Sequence, residues 1–239
     1  LLIIIQLLIG GITHSQLIDP FKPDFGSPSN KAGYTLVWKD EFNNTGKPDT
    51  ANWIYEHGFV RNEELQWYQS ENANCKNGVL LIEGKREKTK NTRYDTSSND
   101  WHFNREYAAY TSASIQTKGR HQWQFGCFEI RARIDTVNGS WPAIWTLGAK
   151  GEWPSNGEID IMEFYRIKQQ PVILANVAWG TDKRYTAKWD TEIKPLAHFT
   201  AKDPDWVKKF HEWKMEWDKE PIKLYLDDEL LNLTTLNEA

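Results

Sequence analysis

Glu158, Asp160 and Glu163 bring three carboxylates into the run Gly157-Glu-Ile-Asp-Ile-Met-Glu-Phe164, whose other residues are mostly apolar. Side chains of a regular strand alternate between faces, so Glu158, Asp160 and Met162 would share one face. Glu163 would then point with Ile159 and Ile161 into the interior, where an unpaired carboxylate is costly or gives up its charge. One extra residue at Ile161-Met162 removes the conflict. Such a β-bulge returns Glu163 to the face of the other two acids and turns Phe164 inward. The two glutamates are then four strand steps apart, about 13 Å at ~3.3 Å per residue. If each side chain leans inward by about 4 Å, the carboxyl groups end roughly 5 Å apart, the separation of a pair that cleaves a glycosidic bond with retention. The bland alternative is a solvent-exposed acidic strand face. The interleaved Ile, Ile and Phe, and the Trp-rich segment just before, weigh against it.

The elements that must hold these acids read as short strands. Runs at 34–42, 77–86, 110–118, 123–134, 143–148, 157–165, 172–180, 210–217, 221–227 and 229–236 are separated by turn residues, which predicts an all-β sandwich or barrel. The polar stretches 88–106 and 182–205 read as loops long enough to rim a cleft. Residues 16–33, rich in Pro, Asp, Gly and Ser, read as a linker, and 34–239 as one domain without an internal repeat. Leu1 to Ile12 reads as the apolar part of a secretory signal peptide, with Thr13-His14-Ser15 as its cleavage site and its basic start missing. Its twelve apolar-rich positions fall short of the ~20 residues of a spanning helix, so no stable membrane insertion is expected. The chain is therefore expected to be secreted, extracellular or periplasmic.

The composition narrows the partners. A net charge of −4 gives no electrostatic footprint for nucleic acid. Thirteen Trp residues suit a sugar-binding cleft, because the C–H faces of sugars stack on flat rings, although some must serve the core. Cys75 and Cys127 could form a disulfide after export or remain as two thiols. Asn43, Asn138 and Asn232 begin sequons that would carry glycans only in a eukaryotic secretory pathway.

The segment Trp153-Pro-Ser-Asn-Gly-Glu-Ile-Asp-Ile-Met-Glu163 resembles the signature of glycoside hydrolase family 16, in the E-x-D-x-x-E form of its laminarinase-like branch. Lichenases and xyloglucan-active members have the shorter E-x-D-x-E form, without a bulge. The resemblance runs from Tyr34 to Leu236 through seven further blocks in order. These are Leu36-Val-Trp-Lys-Asp-Glu-Phe42, Asn62-Glu-Glu-Leu-Gln-Trp-Tyr68, Tyr110-Thr-Ser-Ala113 and Phe125-Gly-Cys-Phe-Glu-Ile-Arg-Ala-Arg133. Trp141-Pro-Ala-Ile-Trp145, Phe210-His-Glu-Trp213 and Ile222-Lys-Leu-Tyr-Leu-Asp227 complete the set.

The resemblance implies a jelly-roll, concanavalin A-like sandwich with a substrate cleft on its concave sheet. It makes Glu158 the nucleophile, Glu163 the general acid and base, and Asp160 the residue that orients Glu158. It places Trp141, Trp145 and Trp153 along the negative subsites and Asn62 as a polar group in the cleft. Two departures stand out: Ser114 replaces an Arg, and Ala175-Asn-Val-Ala-Trp-Gly180 lacks the His pattern of many laminarinases. Trp179 is the expected replacement platform. No cofactor for catalysis is expected; a structural calcium is, near Glu41 and Gly78, as oxygen ligands suit that ion. Family domains usually continue past the position of Ala239, so the domain is expected to be cut short there. The implied protein is a monomer acting on a polysaccharide. It would be an endo-acting retaining hydrolase of β-glucan, most of all of β-1,3 linkages. Hydrolysis of a galactan such as agar and a non-catalytic carbohydrate-binding sandwich stay open as alternatives.

Overall fold

A computed structural model describes residues 33–236 in full and residues 2–6 as backbone. The strands, in chain order, are β1 (Leu2–Gln6), β2 (Ile54–Tyr55), β3 (Gln66–Tyr68), β4 (Ala73–Lys76), β5 (Val79–Ile82) and β6 (Thr89–Lys90). Next come β7 (Tyr107–Ala108), β8 (Tyr110–Ser112), β9 (Ser114–Gln116), β10 (Gly126–Ala132), β11 (Ala143–Leu147) and β12 (Glu158–Ile167). After β13 (Gln170–Gly180) and β14 (Ala187–Pro195), a short helix α1 (Leu196–Thr200) leads to β15 (His211–Trp217), β16 (Pro221–Leu226) and β17 (Glu229–Thr235).

Two antiparallel sheets carry the fold. One has seven strands in the order β14-β13-β12-β11-β1-β9-β2, the other four in the order β10-β15-β16-β17. Their facing sides bury one core: Ile159, Phe164, Ile173 and Val177 from the larger sheet pack with Trp213, Met215, Leu224 and Leu226 from the smaller. Polar groups between the layers are satisfied across them, as buried groups must be. Asn232 Nδ2 donates to the Ala175 carbonyl at 2.9 Å, and Thr234 Oγ1 to Asp190 Oδ2 at 2.7 Å. Alternation then leaves the other face of β11–β14 for the site.

Several expectations change in detail. Residues 34–42 form no strand, and Leu36 and Val37 are exposed. The run 110–118 breaks at Ala113 into β8 and β9, and the supposed loop 182–205 contains β14 and α1. Asn232 is buried with its amide donating to the main chain, so that sequon offers no acceptor for a glycan. Cys75 and Cys127 are not joined in a disulfide. Within the segment read as a signal peptide, Leu2–Gln6 runs as a strand between β9 and β11. Residues 1 and 7–32, which hold the rest of that segment and nearly all of the expected linker, lie outside the described residues.

Candidate active site

The bulge lies where strand parity requires it. On one side of β12, Asp160 pairs with Asn176 and Glu163 with Leu174, so Ile161 and Met162 together oppose Ala175. On the other side Asp160 pairs with Trp145 and Met162 with Ile144. Met162 and Ile161 both pack into the core, and Glu163 emerges on the face of Glu158 and Asp160. Cross-strand partners share a face, which gives three rows across the sheet. They run Leu147-Glu158-Ala178-Trp189, Trp145-Asp160-Asn176-Thr191 and Ala143-Glu163-Leu174-Ile193.

Each acid has its own partners. Trp153 Nε1 donates to Glu158 Oε2 at 2.5 Å, and Trp141 Nε1 to Glu163 Oε1 at 2.7 Å. Asn176 Nδ2 donates to Asp160 Oδ2 at 2.9 Å and to Glu163 Oε2 at 3.1 Å, so both carboxyl oxygens of Glu163 accept a fixed N–H. Burial raises the pKa of all three acids. Asp160 is pushed well above the usual range by burial and then by its charged neighbours Glu163 and Glu158, and it shares a hydrogen bond with Glu158. For Glu158, burial is opposed by Trp153, by Asp160 and by the charge of Arg61. For Glu163, burial is reinforced by the Glu158 charge and opposed by Trp141 and Asn176. The arrangement favours an anionic Glu158 beside a protonated Glu163.

Arg61 supplies positive charge to the same pocket, which Asn62, Trp141 and Trp145 also line. Its guanidinium lies 5.3 Å from the Trp145 ring centre and 5.7 Å from that of Tyr68, within the range of a cation–π contact. It is paired with Glu56, whose Oε2 also accepts from Ser114 Oγ at 2.6 Å. Trp145 brings a buried indole N–H with no partner among the described residues, a donor that a ligand hydroxyl would satisfy.

A family model for the glycosyl hydrolases of family 16 matches residues 67–239. The chain belongs to family 16 of the glycosyl hydrolases. A β-glucanase of Rhodothermus marinus is 36% identical over 214 residues, covering 84% of this chain; the chain spans 66% of that relative's length. The solved laminarinase of the same organism is 34% identical with a TM-score of 0.66, over 85% of this chain and 75% of that one. A structure from work on endo-acting O-glycanases that initiate mucin breakdown in the human gut microbiota is 36% identical, with a TM-score of 0.77. It covers 86% of this chain and 73% of its own.

Among the family 16 positions expected from sequence, Glu158, Asp160, Glu163, Trp141, Trp145 and Asn62 line one pocket. Trp153 stands at its edge, 42% exposed and bonded to Glu158. Trp179 is a correction. β13 runs without a bulge beside β14, so residue 179 shares the inward face of Val177; its ring packs against the core under Lys188. Asn176 and Arg61 are site residues that the sequence reading passed over. Asn176 is a lone polar residue in the apolar run from Val172 to Ala178, and Arg61 adjoins Asn62. Both were signals of a kind.

Proposed function

We propose that this protein is a retaining endo-β-glycosidase whose substrate is β-glucan, with β-1,3 linkages preferred. The carrying observation is the bulge-corrected acid face with different partners for each glutamate. Anionic Glu158 attacks the anomeric carbon while Glu163 gives its proton to the leaving oxygen, forming a glycosyl-enzyme. Glu163, now a base, takes a proton from water, whose oxygen attacks the same carbon and releases Glu158. Asp160 holds the Glu158 carboxylate in orientation through both steps. Trp141 and Trp153, each tethered by its N–H to a catalytic acid, couple the position of a bound sugar to those acids, and with Trp145 and Asn62 they form the negative subsites.

The assignment is tested on laminarin. The first product, followed by proton NMR, carries the β configuration of the substrate. Glu158→Ser and Glu163→Gln each fall below about 10% of the wild-type kcat, a loss of over ~1.4 kcal/mol in the barrier. Initial release of the α-anomer would remove Glu158 from the nucleophile's role. The higher TM-score of the mucin O-glycanase structure favours a second reading, in which the glycan is a mucin O-glycan. Comparing laminarin with mucin O-glycans in the same assay separates the two.

The same proposal includes secretion, action as a monomer and a structural calcium at the corner of Glu41 and Gly78. The Glu41 carbonyl and Asn43 Oδ1 lie within 4 Å of where a Gly78 Cβ would stand. Two oxygens are a partial set for an ion that takes six to eight, and the others would be water or main chain. No group of three or more His, Cys, Asp or Glu suited to a metal occurs among the described residues. No helix among them is long and apolar enough to cross a membrane.

A further inference from the structure

The row through Glu158 ends on an aromatic ring that the mechanism does not use. Trp189 of β14 pairs with Ala178, which pairs with Glu158. Asn176 of β13 reaches the acids, so Ala178, two residues on, faces the cleft as well. On β14, Asp190 accepts a hydrogen bond from Thr234 of the opposite sheet, which turns even positions inward and Trp189, Thr191 and Ile193 outward. Trp189 and Ile193 are 45% and 44% exposed. Two strand spacings separate Trp189 from Glu158, about 9.6 Å at ~4.8 Å each.

An edge strand that keeps Trp and Ile in water works against the usual protection of such edges, which is charge. Here the charges Lys188, Glu192 and Lys194 occupy the other face of the same strand. Exposed apolar surface continuous with a cleft marks a binding surface. The occupant follows from the acids. Glu158 and Glu163 lie along β12 and flank the bond they cleave, so a sugar chain between them runs across the strands. One direction leads over β11 to Trp145. The other leads across the row of Ala178, which is itself buried, to the exposed ring of Trp189.

We propose that Trp189, bordered by Thr191 and Ile193, is a stacking platform for a sugar unit on the leaving-group side of the cleft, beyond the unit next to the scissile bond. The proposal rests on the retaining-glycosidase reading for the direction of the chain. It makes Trp189 a determinant of substrate length and of acceptor binding. In transfer, an acceptor hydroxyl oxygen replaces water, attacks the anomeric carbon, gives its proton to Glu163 and releases Glu158.

Two measurements on the full chain decide it. A β-1,3-linked glucohexaose is titrated calorimetrically into Glu158→Ser and into Glu158→Ser with Trp189→Ala; affinity falls about tenfold in the double variant. Trp189→Phe restores most of it, and Leu233→Ser, at an exposed apolar site on the opposite sheet, changes nothing. In the active background, Trp189→Ala lowers the ratio of transfer to hydrolysis with added acceptor, a ratio independent of the folded fraction. Unchanged affinity, or an unchanged ratio, overturns the platform. A wild-type chain that cleaves no glycan would instead overturn the catalytic reading, while the titration would still decide the platform.

Discussion

At the scale of single residues, the site depends on how two donors share a proton's worth of charge. Asn176 has both amide hydrogens committed, one to Asp160 and one to Glu163, and each bond favours the charged form of its acid. Replacing it with Leu removes that support, so the pKa of Glu163 rises further and its proton is held to higher pH. The alkaline limb of kcat/KM, which reports the free enzyme's acid, therefore moves upward in Asn176→Leu while kcat falls at least tenfold. Trp141→Phe moves the limb in the same direction by removing the other donor. A limb that stays in place in both variants would take Glu163 out of the acid's role. The acids themselves were legible, because parity alone rejects a regular strand through Glu163. Asn176 was not, since one polar residue in an apolar run gives no hint of what lies on the next strand. Trp179 was misplaced for a related reason: its ring type suggested a cleft, but its parity assigns it to the core.

At the scale of elements, most strands were legible where one face is buried and the other is not. β14 was read as part of a loop because its sequence, AKWDTEIKP, is polar or exposed at nearly every position, as suits the edge of a sheet. Two glycines fix the element that carries Trp153. A Cβ on Gly148 would stand 1.8 Å from the Asn156 carbonyl oxygen, and one on Gly180 would stand 2.8 Å from Ser155 Cα. The 149–157 loop thus lies directly against the ends of β11 and β13, closer than any other residue allows. Gly148→Ala must push this loop away, since packed backbone cannot yield by that much. Turnover drops more than tenfold, with the protein still folded by circular dichroism. Wild-type turnover in that variant would show that the Trp153–Glu158 bond is dispensable.

At the scale of the whole molecule, the sandwich gives the acids a low-dielectric floor. The core lies directly beneath β12, and the same burial that raises the acids' pKa excludes water from one side of the site. The calcium proposed at the corner of Glu41 and Gly78 would act on stability and not on the chemistry. The expected result is a melting temperature several degrees higher with calcium than with chelator, while kcat measured well below melting is the same in both. Equal melting temperatures would remove the ion from the proposal. That an all-β domain would form was legible from strand spacing, which left sandwich and barrel open until the resemblance implied the sandwich. How its sheets are ordered was not, since order depends on pairings between segments far apart in sequence, such as β9 with β1 and β1 with β11.

The bulge also sets how this gene can change length. Because Ile161 and Met162 share a single opposing residue, an in-frame loss of one of their codons restores plain alternation and leaves Glu158, Asp160 and the shifted glutamate on one face. Loss of a codon elsewhere in β12 inverts every side chain that follows. The dipeptide is therefore the one point in the strand where the longer and shorter acid spacings can interconvert by a single mutational step without passing through an inverted strand.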